Sequence, residues 1–172
     1  MQKNADPTLA VEPGNGAAPD NITLDDVDAA IIRHLQEDGR RTYRDIGRAL
    51  GVSEGTVRFR YRRLTESGVL RIVAIADPFR LGHRVLAFIL LRIEPGAHQR
   101  IIDTLVPWPE VTYVSTCVGH ADLYLQVVCR DEEDLLELVT NKIPSIGGIT
   151  YSETFTELKI HKISYNYPSA PG

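Results

Sequence analysis

Cysteine is scarce in this chain, with two among 172 residues, Cys117 and Cys129. That is too few for a fold stapled by disulfides. If the segments carrying them pair across a turn near His120–Ala121, Cys117 faces roughly residue 124 rather than Cys129. No disulfide is then expected, and both read as half-buried, inert thiols. The five histidines are scattered and form no ligand-spaced pair, so the pattern does not resemble a zinc site. Long apolar runs are missing too. The longest, Val85 to Leu91, is strand-sized, well short of the ~18–20 residues a membrane helix needs. The N-terminus lacks the basic-then-apolar order of a signal peptide, so a cytoplasmic location is expected. No nucleophile–base pair, phosphate-binding glycine loop or metal set is visible, and neither an enzyme nor a cofactor is expected. His120 near Asp122 is the one pairing of catalytic type, and a turn histidine is ordinarily just exposed.

What is present is a soluble globular composition, 43% hydrophobic and 24% charged, long enough for one large or two small domains. The most informative stretch runs from Thr42 to Arg71. Thr42 is an N-cap with Asp45 three residues on, as in a capping box. Ile46, Ala49 and Leu50 give the following helix an apolar face, and Gly51 ends it, since glycine takes the left-handed C′ conformation without strain. Ser53 caps a second helix in which Val57, Tyr61 and Leu64 recur at i, i+4, i+7. Glu54, Gly55, Thr56, Arg58 and Arg62 fall outside that stripe. A second helix with a cationic outer face is what insertion into the major groove of double-stranded DNA requires. The competing reading is a plain helical hairpin with solvated arginines.

The net charge of −4 hides an asymmetry. Between Leu24 and Gly82 there are 11 basic and 9 acidic residues, against 8 and 14 elsewhere. Five arginines lie between Ser53 and Arg71, with only Glu54 and Glu66 opposing them. Positive charge is concentrated where the DNA face is placed.

In chain order, residues 1–21 carry three prolines and few large apolar groups, and read as a disordered tail. One lysine against three acids argues against a DNA arm. Leu24 to Asp38 is a helix with Asp25 as N-cap and Asp28 at N3, its core side formed by Val27, Ile31, Ile32 and Leu35. Arg40 and Arg41 follow and are placed to sit on phosphates. Val69 to Ala76 is β-prone and begins a wing, completing a DNA-binding domain over 22–76. Residues 77–82, opened by Asp77-Pro78, are a linker.

Residues 83–163 alternate strand and helix signals. Val85 to Ile93 is a strand, Gly96 to Val106 a helix, Val111 to Val118 and Leu123 to Cys129 strands around a turn at Gly119 to Ala121. Asp131 to Ile143 is a helix and Ile149 to Ile163 a long closing strand, before a frayed tail at 164–172. This order is the ferredoxin-like βαββαβ unit, so the fold class is α+β, a winged helix-turn-helix plus a sheet domain. Both helices of such a unit lie on one sheet face. The other face, with Tyr124, Gln126 and Val128, is left for a partner subunit. Its tight glycine turn suits a zwitterion: Gly119 lets backbone N–H groups approach a carboxylate, and Asp122 offers a partner for an ammonium. Alternatively, Asp122 merely caps the turn.

In Leu24-Asp25 with Asp28, Ile31 and Leu35, then Gly39-Arg40, Ile46 to Leu50, Val52-Ser53, Val57, Arg60, Arg63 and Leu64, the chain resembles the Lrp/AsnC ("feast/famine") transcriptional regulators. Gly68-Val69-Leu70, Asp77-Pro78 with Leu81-Gly82, Val111, Val114, Gly119 with Asp122-Leu123, and Thr154 to Lys159 extend the resemblance. It implies a DNA-binding domain, a ligand-sensing domain, dimers joined through the sheets, often rings of four dimers, and amino acids or related metabolites bound at interfaces. Arg60 is added to the DNA-binding set on this ground, with a structural or phosphate-binding role open for it and for Arg63. In the family the G-x-y-D-l turn lines the effector site, which here is Gly119, His120, Ala121, Asp122 and Leu123, with Thr116, Ser145 and Thr154 as weaker candidates. Ala121 stands where the family has an aromatic, so the pocket departs from the pattern. An enzyme built on the βαββαβ domain and an assembly or docking protein without specific DNA binding remain the alternatives.

Overall fold

Asp25 and Asp28 set the first helix. The Asp28 N–H donates to the Asp25 carboxylate at 2.9 Å and the Asp25 N–H donates to the Asp28 carboxylate at 3.2 Å, closing a capping box at the start of α1 (Asp26–Glu37). The computed structural model describes residues 23–164. The tail at 1–21 lies wholly outside that range, as does the tail at 164–172 apart from Ser164. The described chain divides between Ala74 and Ile75 into two compact units.

In the first unit, Thr42 caps α2 (Tyr43–Leu50), its Oγ1 accepting from the Asp45 N–H at 3.1 Å. Gly51 ends that helix at φ 69°, and Ser53 caps α3 (Glu54–Glu66). Ile31, Leu35, Ile46, Val57, Leu64 and Leu70 form the core. Ala49 is exposed, and the buried partner of Ile46 is Gly47. A Cβ at Gly47 would lie 2.8 Å from the Val52 carbonyl, so the close approach of the turn to α2 requires glycine.

The expected wing strand does not form. Residues 69–76 pair with no strand among the described residues. Leu70 packs into the core and closes α3 through its N–H to the Leu64 carbonyl, but Ile72, Val73 and Ile75 are exposed. β-propensity supplies extended backbone, and a ladder also needs an opposing strand.

The second unit contains β1 (Val85–Ile93), α4 (His98–Leu105), β2 (Val111–Thr116), β3 (Leu123–Cys129), α5 (Glu132–Glu137) and β4 (Ile149–Thr156). The antiparallel sheet has order β2-β3-β1-β4, the split βαβ topology. Ala87, Ile89 and Leu91 with Leu123, Leu125 and Val127 face Ile101 and Leu105 of α4 and Leu138 and Ile143 beyond α5. The opposite face carries Phe88 stacked on Tyr124 at 5.4 Å, Tyr113 edge-on to Tyr124 at 5.7 Å, and Phe155 paired with Phe88 across β1 and β4.

Helices α1 and α4 are each shorter than read at both ends, and three further boundaries differ from the sequence reading. The last helix is α-helical only to Glu137. Leu138–Lys142 is a π-turn in which the Ile143 N–H reaches the Leu138 carbonyl at 2.9 Å, which buries both residues before Pro144. β4 stops at Thr156, opposite Ala87, with one further bond from the Glu157 N–H to the Leu86 carbonyl at 2.9 Å, well short of Ile163. β2 stops at Thr116, and the Cys117 N–H donates to the Asp122 carbonyl, so Cys117 lies opposite Asp122 rather than residue 124. Both thiols are free. Cys129 is buried, and burial raises its pKa to about 11.

Candidate nucleic-acid interface and effector loop

The outer face of α3 is built by exclusion. Val57 and Leu64 are fully buried, so Gly55, Phe59, Arg62 and Glu66, at i, i+4, i+7 and i+11, form the opposite and exposed side. Glu54 and Arg58 flank it and are also exposed. Arg58 Nη2 donates to Glu54 at 2.7 Å, and Arg62 lies 3.6 Å from Glu66. Exposed pairs of this kind contribute little, so both guanidiniums can exchange their carboxylates for phosphates or base edges. Ser53 and Thr56 are occupied locally: the Thr56 N–H donates to Ser53 Oγ at 3.0 Å and the two hydroxyls are 2.9 Å apart.

Arg60 departs from the expected set. Its Nη1 donates to Asp25 Oδ2 at 2.6 Å and to Asp28 Oδ1 at 3.0 Å, holding α3 against the cap of α1. Arg63 also donates to Asp28, which is fully buried. Arg60 is an internal tie. Beside α2, Arg41 donates to His34 and Glu37, while Arg40, Thr42, Arg44 and Arg48 are exposed. A surface cleft of about 530 Å³ gathers Arg40, Arg41 and Arg44 at the N-terminus of α2, favourable for a backbone phosphate. The sequence reading missed Phe59, Arg44 and Arg48; the signal for Phe59 was its position four residues beyond Gly55 and outside the buried stripe.

In the second unit the turn expected to meet an effector is tied to β1. Asp122 Oδ2 accepts from the Ile93 N–H at 2.9 Å, at the bulge where the β1–β4 register shifts, and the Asp122 N–H donates to the Leu91 carbonyl. The Asp122 carboxylate thus anchors the turn to β1 rather than capping the turn's own backbone. Leu123 is fully buried in the core and Ala121 is nearly so. Gly119, at φ 130°, and His120 are exposed. Arg92 Nε donates to the His120 carbonyl at 2.7 Å, and the His120 ring lies 3.8 Å from Glu153 and edge-on to Tyr151. Thr116 Oγ1 is 3.1 Å from His98 Nε2. Thr154 pairs with Ile89 on the helix side of β4, so the sheet separates it from Glu153 and His120. Ser145 Oγ donates to the Lys142 carbonyl, away from the turn. Sequence reasoning missed the Arg92, Tyr151 and Glu153 surround, because their strands meet the turn only in the folded sheet. Among the described residues no cluster of three or more histidine, cysteine or acidic side chains is placed to hold a metal ion, and no helix is long and apolar enough to cross a membrane.

A capped helix-turn-helix with a cationic outer face, followed by a split βαβ sheet unit, defines a DNA-binding regulator with an appended sensor domain. Residues 24–65 match the AsnC-type helix-turn-helix domain and residues 86–167 the Lrp/AsnC ligand binding domain. The chain belongs to the Lrp/AsnC family of transcriptional regulators. It is 37% identical over 145 residues to an HTH-type transcriptional regulator of Pyrococcus horikoshii, covering 84% of this chain and 92% of that one. To the HTH-type transcriptional regulator FL11 of Pyrococcus furiosus it is 34% identical over 146 residues, covering 84% and 96%. Among solved structures it resembles Escherichia coli AsnC, with TM-score 0.79, 25% identity and coverage of 84% and 99%. It also resembles the L-Met complex of a transcriptional regulator from Neisseria meningitidis, with TM-score 0.79, 26% identity and coverage of 85% and 97%.

Proposed function

We propose that this chain is a sequence-specific DNA-binding regulator whose α3 reads the major groove and whose sheet unit carries an amino-acid effector at an interface between copies. The observation that carries the first part is the exposed α3 face, where Arg58 is paired with exposed Glu54 and lies over the Tyr43 ring, and Arg62 is paired with exposed Glu66. The effector site is assigned to the Gly119–His120 turn with Arg92 and Glu153, a guanidinium and a carboxylate set about one exposed loop. The L-Met complex of the Neisseria relative supports an amino acid as the chemical class. Ala121 and Leu123 shape the turn from within, and Asp122 fixes it to β1.

The helix-free sheet face, with Phe88, Tyr113, Tyr124 and Phe155, supports a homodimer as the working form. Two symmetric readers then favour a roughly palindromic site with half-sites about one helical turn, or a multiple, apart.

The test uses the full chain. Fluorescence anisotropy against randomised duplexes at low salt reads DNA binding, and sedimentation reads assembly, including any ring of four dimers. A thermal-shift screen with the amino acids reads the effector, since a ligand at a hundredfold its Kd adds about 2.7 kcal/mol. Failure to bind any duplex, with assembly intact, would instead support the docking alternative.

A further inference from the structure

Phe59 is 61% exposed at the middle of the outer face of α3, one helical turn from Gly55 and one from Arg62. The ring lies outside the core of its unit among the described residues, which is Ile31, Leu35, Ile46, Val57, Leu64 and Leu70. Gly55 is equally unexplained by the fold. Its φ is not positive, and a Cβ there would meet only Ser53 Oγ, at an ordinary 3.6 Å. A glycine in a helix costs stability relative to alanine, so a position that tolerates a side chain sterically and still lacks one needs another reason.

Together the two residues make a small apolar shelf, a flat ring beside a bare stretch of backbone, on a face otherwise lined by Arg58, Arg62, Glu54 and Glu66. The flanking guanidiniums complement nucleic-acid charge. In the major groove the one apolar group that a base pair presents is the thymine 5-methyl. We infer that Phe59 is a specificity-determining residue that packs on a thymine methyl, with Gly55 providing the clearance that lets the helix approach the base edge. This rests on the reading of α3 as the DNA-binding helix.

The test starts from duplexes selected by the full chain out of a randomised pool. Each thymine of the selected site is replaced in turn by uracil, which removes only the methyl group, and affinities are measured by anisotropy at fixed salt. One thymine per half-site is expected to weaken the parent roughly five- to tenfold on conversion to uracil, the low end of what a mismatched base pair costs. Phe59→Ala should lose about the same factor on the thymine duplex and bind both duplexes alike. Gly55→Ala should weaken binding while its thermal midpoint holds or rises, which a structural role for the glycine would not give. A Phe59→Ala chain that keeps the parent's thymine-to-uracil ratio at every position overturns the inference, and so does a loss of assembly in sedimentation with that ratio unchanged. Parent chain that binds duplex with no uracil-sensitive position overturns this inference alone. Parent chain that binds no duplex at low salt overturns the DNA-binding reading and this inference with it.

Discussion

Arg60 Nη1 lies 3.0 Å from Asp28 Oδ1 and also reaches Asp25, so the arginine at the centre of α3 points back into the fold at the cap of α1. Asp28 is fully buried and receives Arg63 as well. The same two carboxylates that start α1 therefore hold α3, and the aim of α3 depends on a helix cap.

Removing one partner of a buried, multiply paired charge leaves the others uncompensated. Asp28→Ala should lower stability by about 3 kcal/mol, the low end for such a site, because its arginine partners are partly exposed. Chemical denaturation checks this. Arg60→Met should also destabilise while leaving the arginines of the outer face untouched. Its loss of duplex affinity should vanish when binding is compared at a temperature where the variant is folded.

Asp25 has its pKa lowered to about 2, chiefly by the hydrogen bond from Arg60 and then by the Asp28 N–H. A depressed carboxylate contributes stability that is fully present above its unfolded value near 4 and is lost as pH falls through about 2. The thermal midpoint of the helix-turn-helix unit should therefore fall between pH 4 and pH 2. Asn at position 25 keeps the cap without the charge, so Asp25→Asn should show a shallower decline over that window in melts followed by circular dichroism.

Asp122 has two separable roles in this account. Asp122→Ala strands the Ile93 N–H at the β1 bulge and should cost about 1–3 kcal/mol. Asp122→Asn keeps an acceptor for that N–H and removes only the charge. If the carboxylate meets an effector ammonium, Asp122→Asn should weaken binding of the best thermal-shift amino acid in isothermal titration while its thermal midpoint stays near the parent's. Binding as tight as the parent's would make Asp122 purely a positioning residue of the turn. In either case effector-free DNA affinity should hold. For the effector to regulate, its preference between arrangements should amount to about 1–3 kcal/mol.

The local chemistry of the sequence carried most of the fold. The caps at Asp25, Thr42 and Ser53, the stop at Gly51, and the limits of β1 and β3 follow from side chains acting on their own neighbourhood. What was not legible depended on partners distant in the chain. Residues 69–76 have strand propensity but no opposing strand among the described residues, and β4 leaves β1 after the Glu157 N–H reaches the Leu86 carbonyl, which no property of Leu158 to Ile163 encodes. The π-turn at Leu138–Lys142 arises from the need to bury both Leu138 and Ile143. At the site, Arg58 and Arg62 were readable from helical phase, since the outer face is fixed by Val57 and Leu64. Arg60 sits at the edge of the buried stripe, and only its carboxylate partners on α1 decide that it turns inward.

The most direct test of the reading face is the affinity of the full chain for its selected duplex, measured across salt concentrations, for the parent, Arg58→Ala, Arg62→Ala and the double variant. An arginine that reads a base should cost about 1–3 kcal/mol on removal and relax specificity at one position. One that holds a phosphate should weaken all sequences alike and reduce the salt slope by about 1. The account predicts that each single variant shows one of these signatures and that the double variant binds weakest. A double variant with the parent's affinity and the parent's salt slope would contradict it.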